Sequence, residues 1–321
     1  AGSAEASVIV APDAGGIRRA AELLRAGSVV AFPTETVYGL GADAFSAAAV
    51  SEIYRLKNRP SWNPLIVHVA GVAAARALAR TWPDAANELA AAFWPGPLTL
   101  VVERAAHLTQ PGADTGGTIA IRVPAHEVAL RLLEASGLPL AAPSANKSES
   151  ISPTTAEHVL RSLPDVPLVL DGGPASWGIE STVVDVTGST PRLLRPGALP
   201  LRAIREVAGT LELPDEVADG AARPSPGMSR RHYAPRARLV LADDPAAVRG
   251  AAEPVGVLTY ETANVPGAEL LSAEPREYAA DLYAALHRLD DRGVATIIVR
   301  NPPATEEWLA VRDRLRRAAA A

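Results

Sequence analysis

Cations and hydroxyls recur just beyond short apolar runs of this chain: Lys57, Arg59, Arg122 and Arg195, with Thr36, Thr118, Ser144, Ser152, Ser181 and Thr182. Such a set suits a polyphosphate bound beside a small carboxylate, because both need charged donors of fixed direction. Polar groups at the end of a buried strand are also where open α/β sheets place ligands. The densest stretch is Ala31-Phe32-Pro33-Thr34-Glu35-Thr36-Val37-Tyr38-Gly39-Leu40-Gly41. Val29-Val30-Ala31-Phe32 reads as a short buried strand. Pro33 stops it, having no N–H for a ladder. Hydroxyls and one carboxylate follow, and Gly39 and Gly41 allow a tight turn or close approach to a ligand.

Other chemistries lack their signatures. There is no Walker-type loop and no Gly-x-Gly-x-x-Gly at a strand-to-helix junction, which argues against a P-loop NTPase or a Rossmann dehydrogenase. Ser144, a histidine and Asp171 would supply hydrolase side chains, but Pro143-Ser144-Ala145-Asn146 is not a Gly-x-Ser-x-Gly elbow. No His/acid spacing suggests zinc. The absence of cysteine excludes disulfides, thiolate metal sites and a Cys nucleophile. A net charge of -5 argues against a broad nucleic-acid surface and leaves room for a local basic cleft. No apolar run approaches a membrane span, and the N-terminus does not read as a signal peptide, so a cytoplasmic protein is expected. Hydrophobic residues make up 48% and aromatics only 4%, so Ala, Val, Leu and Ile must build the core.

The elements that must hold these residues alternate between strand and helix. Residues 17–26 read as a helix stopped by Gly27, and Ser46 as the N-cap of another with Val50, Ile53 and Tyr54 on its apolar stripe. Lys57 continues that stripe. Spacing leaves two readings open: an ammonium facing the sheet end, or a lysine neutralising the helix C-terminus. Along 65–69, Leu65, Val67 and Val69 share one face while Ile66 and His68 share the other. Two Ala-rich helices follow, broken at Trp94-Pro95-Gly96-Pro97, and then a strand at 98–102. In 118–123 the apolar face is Ile119, Ile121 and Val123, which leaves Arg122 on a face of small residues, where it needs an anion or a carboxylate. A helix at 128–135 ends at Gly137, a short strand spans 140–142, and Ser152-Pro153 reads as the capped start of a helix whose N–H groups would form an anion site. Strands are expected at 166–170, 182–186 and 192–195. Residues 212–235 lack periodicity and read as a linker. Strands at 238–241, 255–259 and 296–299, interleaved with helical stretches around Ala246, at 278–289 and at 306–316, predict a small α/β layer unit.

The motifs Lys57-Asn58-Arg59-Pro60, Asn63-Pro64-Leu65-Ile66-Val67-His68, Ser144-Ala145-Asn146 and Glu180-Ser181-Thr182-Val183-Val184-Asp185, added to the opening stretch, resemble the threonylcarbamoyl-AMP synthase family with its YrdC-type catalytic domain. The resemblance runs from about Val8 to Gly209 and resumes at Ser225-Pro226-Gly227-Met228 and His232-Tyr233-Ala234-Pro235, which resemble the linker of the long, two-domain branch. It implies an α/β fold: a YrdC-like twisted, mixed or parallel sheet with flanking helices and a concave cleft, plus a small Rossmann-like C-terminal domain. The expected division is 1–210 catalytic, 211–236 linker and lid, and 237–321 accessory.

The resemblance also implies a reaction: L-threonine, bicarbonate or CO2, and ATP give threonylcarbamoyl-AMP and pyrophosphate, with Mg²⁺ carried mainly by the phosphates. Downstream it implies the tRNA threonylcarbamoyl-transfer machinery, and a weak tRNA contact. By matching motifs, Thr36, His68, Arg122, Ala142, Ser181 and Thr182 are expected at threonine. Lys57, Arg59, Asn63, Thr118, Ser144, Asn146, Ser152, Arg195 and Tyr233 are expected at ATP, with Lys57 and Arg59 catalytic and neither in the packed core. The alternatives are a relative that makes another carbamoyl-adenylate and a non-catalytic binder of structured RNA. One departure stands out: Glu149 follows Ser148 where the family commonly has glycine, and a carboxylate near the expected phosphates would repel them unless it points away or meets magnesium.

Overall fold

The computed structural model describes residues 8–112, 115–213, 231–261, 265 and 267–320. The motif Ser225-Pro226-Gly227-Met228 and most of the expected linker lie outside the described residues. The chain runs β1 (Ile9–Val10), α1 (Ala14–Arg25), β2 (Val30–Phe32), β3 (Gly39–Asp43), α2 (Ala47–Lys57), β4 (Ile66–His68), α3 (Val72–Leu78), α4 (Asp84–Phe93), β5 (Leu98–Glu103) and β6 (Thr118–Arg122). It continues through α5 (Glu127–Ser136), β7 (Leu140–Ala141), α6 (Ala156–Ser162), β8 (Val169–Leu170), β9 (Thr182–Asp185), β10 (Arg192–Arg195) and α7 (Leu201–Ala208). A second lobe follows: β11 (Arg238–Ala242), β12 (Val255–Thr259), β13 (Glu269–Leu270), α8 (Pro275–Asp291), β14 (Thr296–Arg300) and α9 (Leu309–Ala319).

The large lobe is one ten-stranded mixed sheet in the order β1-β8-β2-β3-β7-β4-β6-β5-β9-β10. The small lobe is a four-stranded, all-parallel sheet in the order β11-β14-β12-β13. The expected α/β class holds, and so does the alternation that matters. β4 and β6 pair in parallel with Ile66 opposite Ala120 and His68 opposite Arg122. Side chains of a strand alternate between faces, so Leu65, Val67, Ile119 and Ile121 enter the main core while Ile66, His68, Ala120 and Arg122 face the other way. On that second face α1 and α5 pack over Val30, Phe32, Leu140 and Leu170. Beyond them only a small cluster of Ile66, Val101, Ala120, Val183 and Leu194 covers the strands. A concavity remains there, and the small lobe sits against its rim.

Three local expectations change. Gly39 and Gly41 do not turn the chain; they lie in β3, paired with Phe32 and Val30. A Cβ on Gly41 would stand 2.6 Å from the Phe32 ring, so this glycine serves packing between neighbouring strands. Ser152 does not cap a helix. Its hydroxyl donates to Glu180 Oε1 at 2.5 Å, and α6 starts at Ala156 under Thr155, whose Oγ1 accepts from His158 N. The stretch near Ala246 is a single 3₁₀ turn rather than a helix, and the two-residue β13 is too short to leave a periodic signal.

The lobes meet through close contacts. Gly178, at φ +70°, lies so near α8 that a Cβ would stand 2.1 Å from Ala280 O. Arg161 pairs with Asp291, and Arg205 with Glu306. His158 of α6 and His287 of α8 stack with ring centroids 3.8 Å apart. Burial, with each lying near the other's ring or near Arg161, depresses both imidazoles, that of His158 to about 3.

Two outcomes follow from this interface. Gly178→Ala must displace backbone, whereas Gly173→Ala, also at positive φ (+78°) but with nothing within 4 Å, bears only the left-handed cost of about 1–2 kcal/mol. Thermal melts should show the larger loss for Gly178→Ala. For His158, the folded pKa lies below the unfolded value near 6.5. Its contribution is therefore full above that value and lost as pH falls toward about 3. His287, Arg161, Asp291 and Arg288 are the charged or titratable neighbours of His158. A pH series of melts should fall less steeply below about pH 6.5 in His158→Phe than in the parent chain.

Candidate active site

The concavity is a cleft of about 530 Å³, its open mouth included. Among the residues lining it are Thr34, Thr36, Arg59, His68, Arg122, Ala142, Ser144, Glu180, Ser181, Arg195, His232 and Tyr233. In this lining three guanidiniums, Arg59, Arg122 and Arg195, face one carboxylate, Glu180. The excess of positive charge suits an anion.

The loop after β2 is fixed by Thr34. Its hydroxyl accepts from Thr36 N and Val37 N and donates to Val37 O at 2.6 Å, a side-chain turn that only a short β-hydroxyl can make. This presents Glu35 and Thr36 to Arg122. The guanidinium donates to Glu35 Oε1 at 2.6 Å, to Thr36 Oγ1 at 3.0 Å and to Gly96 O at 3.2 Å. The carboxylate that an arginine on a small-residue face requires is therefore Glu35. Both side chains are almost wholly buried, so this pair is shielded from solvent screening. His68 lies one strand over with its edge toward Phe32. Burial, and then Arg122, push it down to about 3, so the ring is neutral at neutral pH.

Arg195, at the end of β10, donates to Ser181 O at 2.9 Å and to Ser181 Oγ at 3.1 Å. Ser181 Oγ is also 2.8 Å from Thr99 Oγ1. Glu180 accepts from Ser152 Oγ and, from the small lobe, from Tyr283 Oη at 2.9 Å and Arg314 Nε at 2.9 Å. Burial raises the Glu180 pKa, but Arg314, Arg195 and Ser152 outweigh that and hold it below the usual value.

Of the residues expected at ligands, Thr36, Arg59, His68, Arg122, Ala142, Ser144, Ser181, Arg195 and Tyr233 come together in the cleft. Others support it from behind. Asn63 Oδ1 accepts from Arg59 Nη2 at 2.8 Å. Asn146 Nδ2 ties Lys147 O and Ser150 O. Thr182 Oγ1 bonds both the O and the N of Leu199. Thr118 is on the cleft face of β6, but four residues from Arg122, about 13 Å along the strand; its hydroxyl donates to Thr115 O.

Lys57 requires the largest correction. It is 1% exposed, and Arg59 only 8%, so both belong to the packed interior. The Lys57 ammonium donates to Ser144 O at 2.6 Å and to Asn146 O at 2.5 Å. Its inward direction follows from the helix stripe. The carbonyls that receive it come from a turn nearly ninety residues away in sequence, which spacing could not reveal. Burial, and then Arg59, hold its pKa well below the ordinary lysine value.

Glu149 is not among the residues lining the cleft. It is exposed at φ +69°, the left-handed region that favours glycine, so its carboxylate faces solvent rather than the cleft. Glu35, Glu180 and Arg314 were missed as site residues. The signal for Glu180 was a carboxylate directly before Ser181-Thr182 at a strand start. Arg314 gave none beyond its place in a basic terminal helix.

An α/β sheet on whose uncovered face guanidiniums and hydroxyls converge, with a second lobe against the rim, defines an anion-binding cleft. The family model described as "Telomere recombination", for Sua5, YciO and YrdC proteins, matches residues 22–197, and the model described as "Threonylcarbamoyl-AMP synthase, C-terminal domain" matches residues 199–320. Threonylcarbamoyl-AMP synthase of Pyrococcus abyssi is 41% identical, over 94% of this chain and 93% of its own. That of Bacillus subtilis is 42% identical, over 94% and 92%. The crystal structure of P. abyssi Sua5 complexed with L-threonine superposes with a TM-score of 0.86 at 40% identity, covering 97% of this chain and 96% of that one. The chain belongs to the threonylcarbamoyl-AMP synthase family.

The Lys57 contacts give an outcome opposite to that of a surface cation. Lys57→Met should lose about 1–3 kcal/mol, because two buried carbonyls lose their donor. Chemical denaturation of the purified variant measures it.

Proposed function

We propose that the chain joins L-threonine, CO2 or bicarbonate, and ATP into threonylcarbamoyl-AMP with release of pyrophosphate, for the threonylcarbamoyladenosine modification of tRNA. The observation that carries this reading is the convergence of Arg59, Arg122 and Arg195 with Thr36, Ser144 and Ser181 in one cleft. The threonine amine, as the free base, attacks the carbon of CO2, giving an N-carboxylate and releasing a proton. A carboxylate oxygen then attacks the α-phosphorus, the bond to the β-phosphate oxygen breaks, and pyrophosphate leaves. The protein forms no covalent bond in this sequence. Its work is to position the reactants and balance the charge moving onto pyrophosphate.

In this reading Arg122 takes the threonine α-carboxylate with the N–H groups left beside Glu35, Thr36 and Gly96. Thr36, neutral His68, the Ala142 backbone and Ser181 complete that end, and Thr182 holds the chain behind it through Leu199. Arg59, Ser144, Arg195 and Tyr233 face the nucleotide. Lys57, Asn63, Asn146 and Ser152 hold the loops that carry them, and Thr118 marks how far along β6 the ligand reaches. Catalysis at Lys57 is thus indirect, through the Ser144–Asn146 turn. Mg²⁺ enters with the nucleotide. Among the described residues no three His or acidic side chains could hold a metal, and Glu180 is already engaged by Arg314 and Tyr283. The division at 1–210, 211–236 and 237–321, a cytoplasmic location, and delivery to a tRNA threonylcarbamoyl-transfer machinery belong to the same proposal. No helix among the described residues is long and apolar enough to cross a membrane.

Pyrophosphate release by the full chain should require threonine. Arg59→Ala should reduce it by roughly 10²-fold, as for one lost preorganised donor. Arg122→Ala should weaken threonine binding, read by calorimetry, by about 1.5–3 kcal/mol while ATP binding is little changed. Threonine-independent release, or unchanged threonine affinity, would contradict the assignment.

A further inference from the structure

Arg314 heads the fully buried large side chains among the described residues, and it comes from α9 of the small lobe, not from the sheet that bears the cleft. Its bonds reach three separate segments of the cleft wall. Nε donates to Glu180 Oε2 at 2.9 Å, beside Ser181. Nη1 donates to Pro196 O at 2.8 Å, the residue after Arg195. The guanidinium carbon lies over the Tyr233 ring, 4.9 Å from its centroid. Asp313 anchors Arg314 from its own helix, and Asp313 also receives Arg317.

Each segment needs such a hold. Tyr233 is at φ +60°, a left-handed state that a tyrosine keeps only when its surroundings impose it. The surroundings include Arg314, the Tyr283 ring 5.9 Å away at an interplanar angle of 27°, and the His232 ring 3.9 Å away at 67°. Glu180 is buried, and without a guanidinium it would be an uncompensated charge. When so held, it fixes Ser152 through a 2.5 Å bond. The turn at Pro196 sets the direction of Arg195, whose guanidinium grips Ser181. Two of the segments carry residues assigned above to the nucleotide, Tyr233 and Arg195, while Glu180 borders Ser181, where the two ends of the proposed site meet. None carries Arg122, Thr36 or His68.

We infer that Arg314 is a positioning residue for the nucleotide: a planar staple from the accessory lobe that sets Tyr233, Glu180 and the Arg195 turn together. This rests on the reading given under the proposed function. A lysine would keep the charge but lose both the fork and the stacked face. The staple therefore requires arginine geometry and not only a cation.

The test compares Arg314→Met, Arg314→Lys and the double variant Glu180→Gln/Arg314→Met in the full chain. The double variant removes the orphaned buried carboxylate and so guards against simple loss of folding. Threonine-dependent pyrophosphate release gives KM for ATP and for threonine, calorimetry gives threonine affinity without nucleotide, and melts report stability. The expected result is a rise in ATP KM on the order of tenfold in Arg314→Met, the scale of a charged hydrogen bond, with threonine affinity changed less than about twofold. Arg314→Lys should recover stability more fully than ATP KM, and the double variant should regain stability while ATP KM stays high. Recovery of ATP KM together with stability in the double variant, or equal losses for both substrates, would overturn the inference. If the parent chain releases no pyrophosphate with threonine, the proposed function has failed instead, and the parent assay alone reveals it.

Discussion

Glu180 is a carboxylate taken out of water, and a buried charge persists only where opposite charge and hydrogen bonds meet it. Here the partners come from both lobes. Ser152 comes from the large lobe, and Tyr283 and Arg314 from the small one. The interaction therefore does more than neutralise a charge. It makes the wall of the cleft beside Ser181 depend on the presence of a second folded unit. The apolar contacts between lobes, around Ile179, Tyr233, Tyr278 and Tyr283, surround this point and exclude water from it. Exclusion of water strengthens the ion pair, and the ion pair fixes the register in which the apolar surfaces meet.

The second constraint is the bare patch of sheet. A strand face must be covered, and α1 with α5 covers only the β2, β7 and β8 side. Over β4, β6, β5 and β9 the positions on that face are filled by His68, Arg122 and Thr99 beside the apolar Ile66, Val101, Ala120 and Val183. These polar groups are satisfied by one another and by the loop after β2. That loop is held by Thr34 rather than by any regular element. The cleft is thus a gap in the helical layer, floored by strands and closed by loops from distant parts of the sequence.

What could be read from the sequence follows from this. Period-two alternation placed His68 and Arg122 on a face apart from the core, and the strand pairing of β4 with β6 sets them side by side. The helical stripe of Val50 and Ile53 turned Lys57 inward. Arg122 announced the need for a carboxylate, though not that it would be Glu35. The failures are of another kind. Ser152-Pro153 has good capping chemistry, but a carboxylate brought by tertiary folding took the hydroxyl first. Gly41 resembled a turn residue until the Phe32 ring was seen beside it. Lys57 was expected near the phosphates, and only the fold brings the carbonyls of Ser144 and Asn146 to it. In each case a local preference was outbid by a partner far away in the chain, and a single sequence does not show partners.

The stretch 232–237, where the expected linker runs into the small lobe, has a property with consequences of a different order. His232 N donates to Arg317 O, Ala234 N to Glu149 O, and Arg236 N and Ala237 N to Asp290. Ser150 and Ala234 form a parallel bridge. Within six residues the backbone is thus fastened alternately to the small lobe, the large lobe and the small lobe again. Such a segment has no slack: a fully extended residue spans only about 3.3–3.6 Å. Insertions and deletions here would slip one fastening against the next, so chain length across 232–237 should vary little among descendants of this sequence, even where side chains drift. The history of the protein is then constrained by a measured length of backbone as much as by its chemistry.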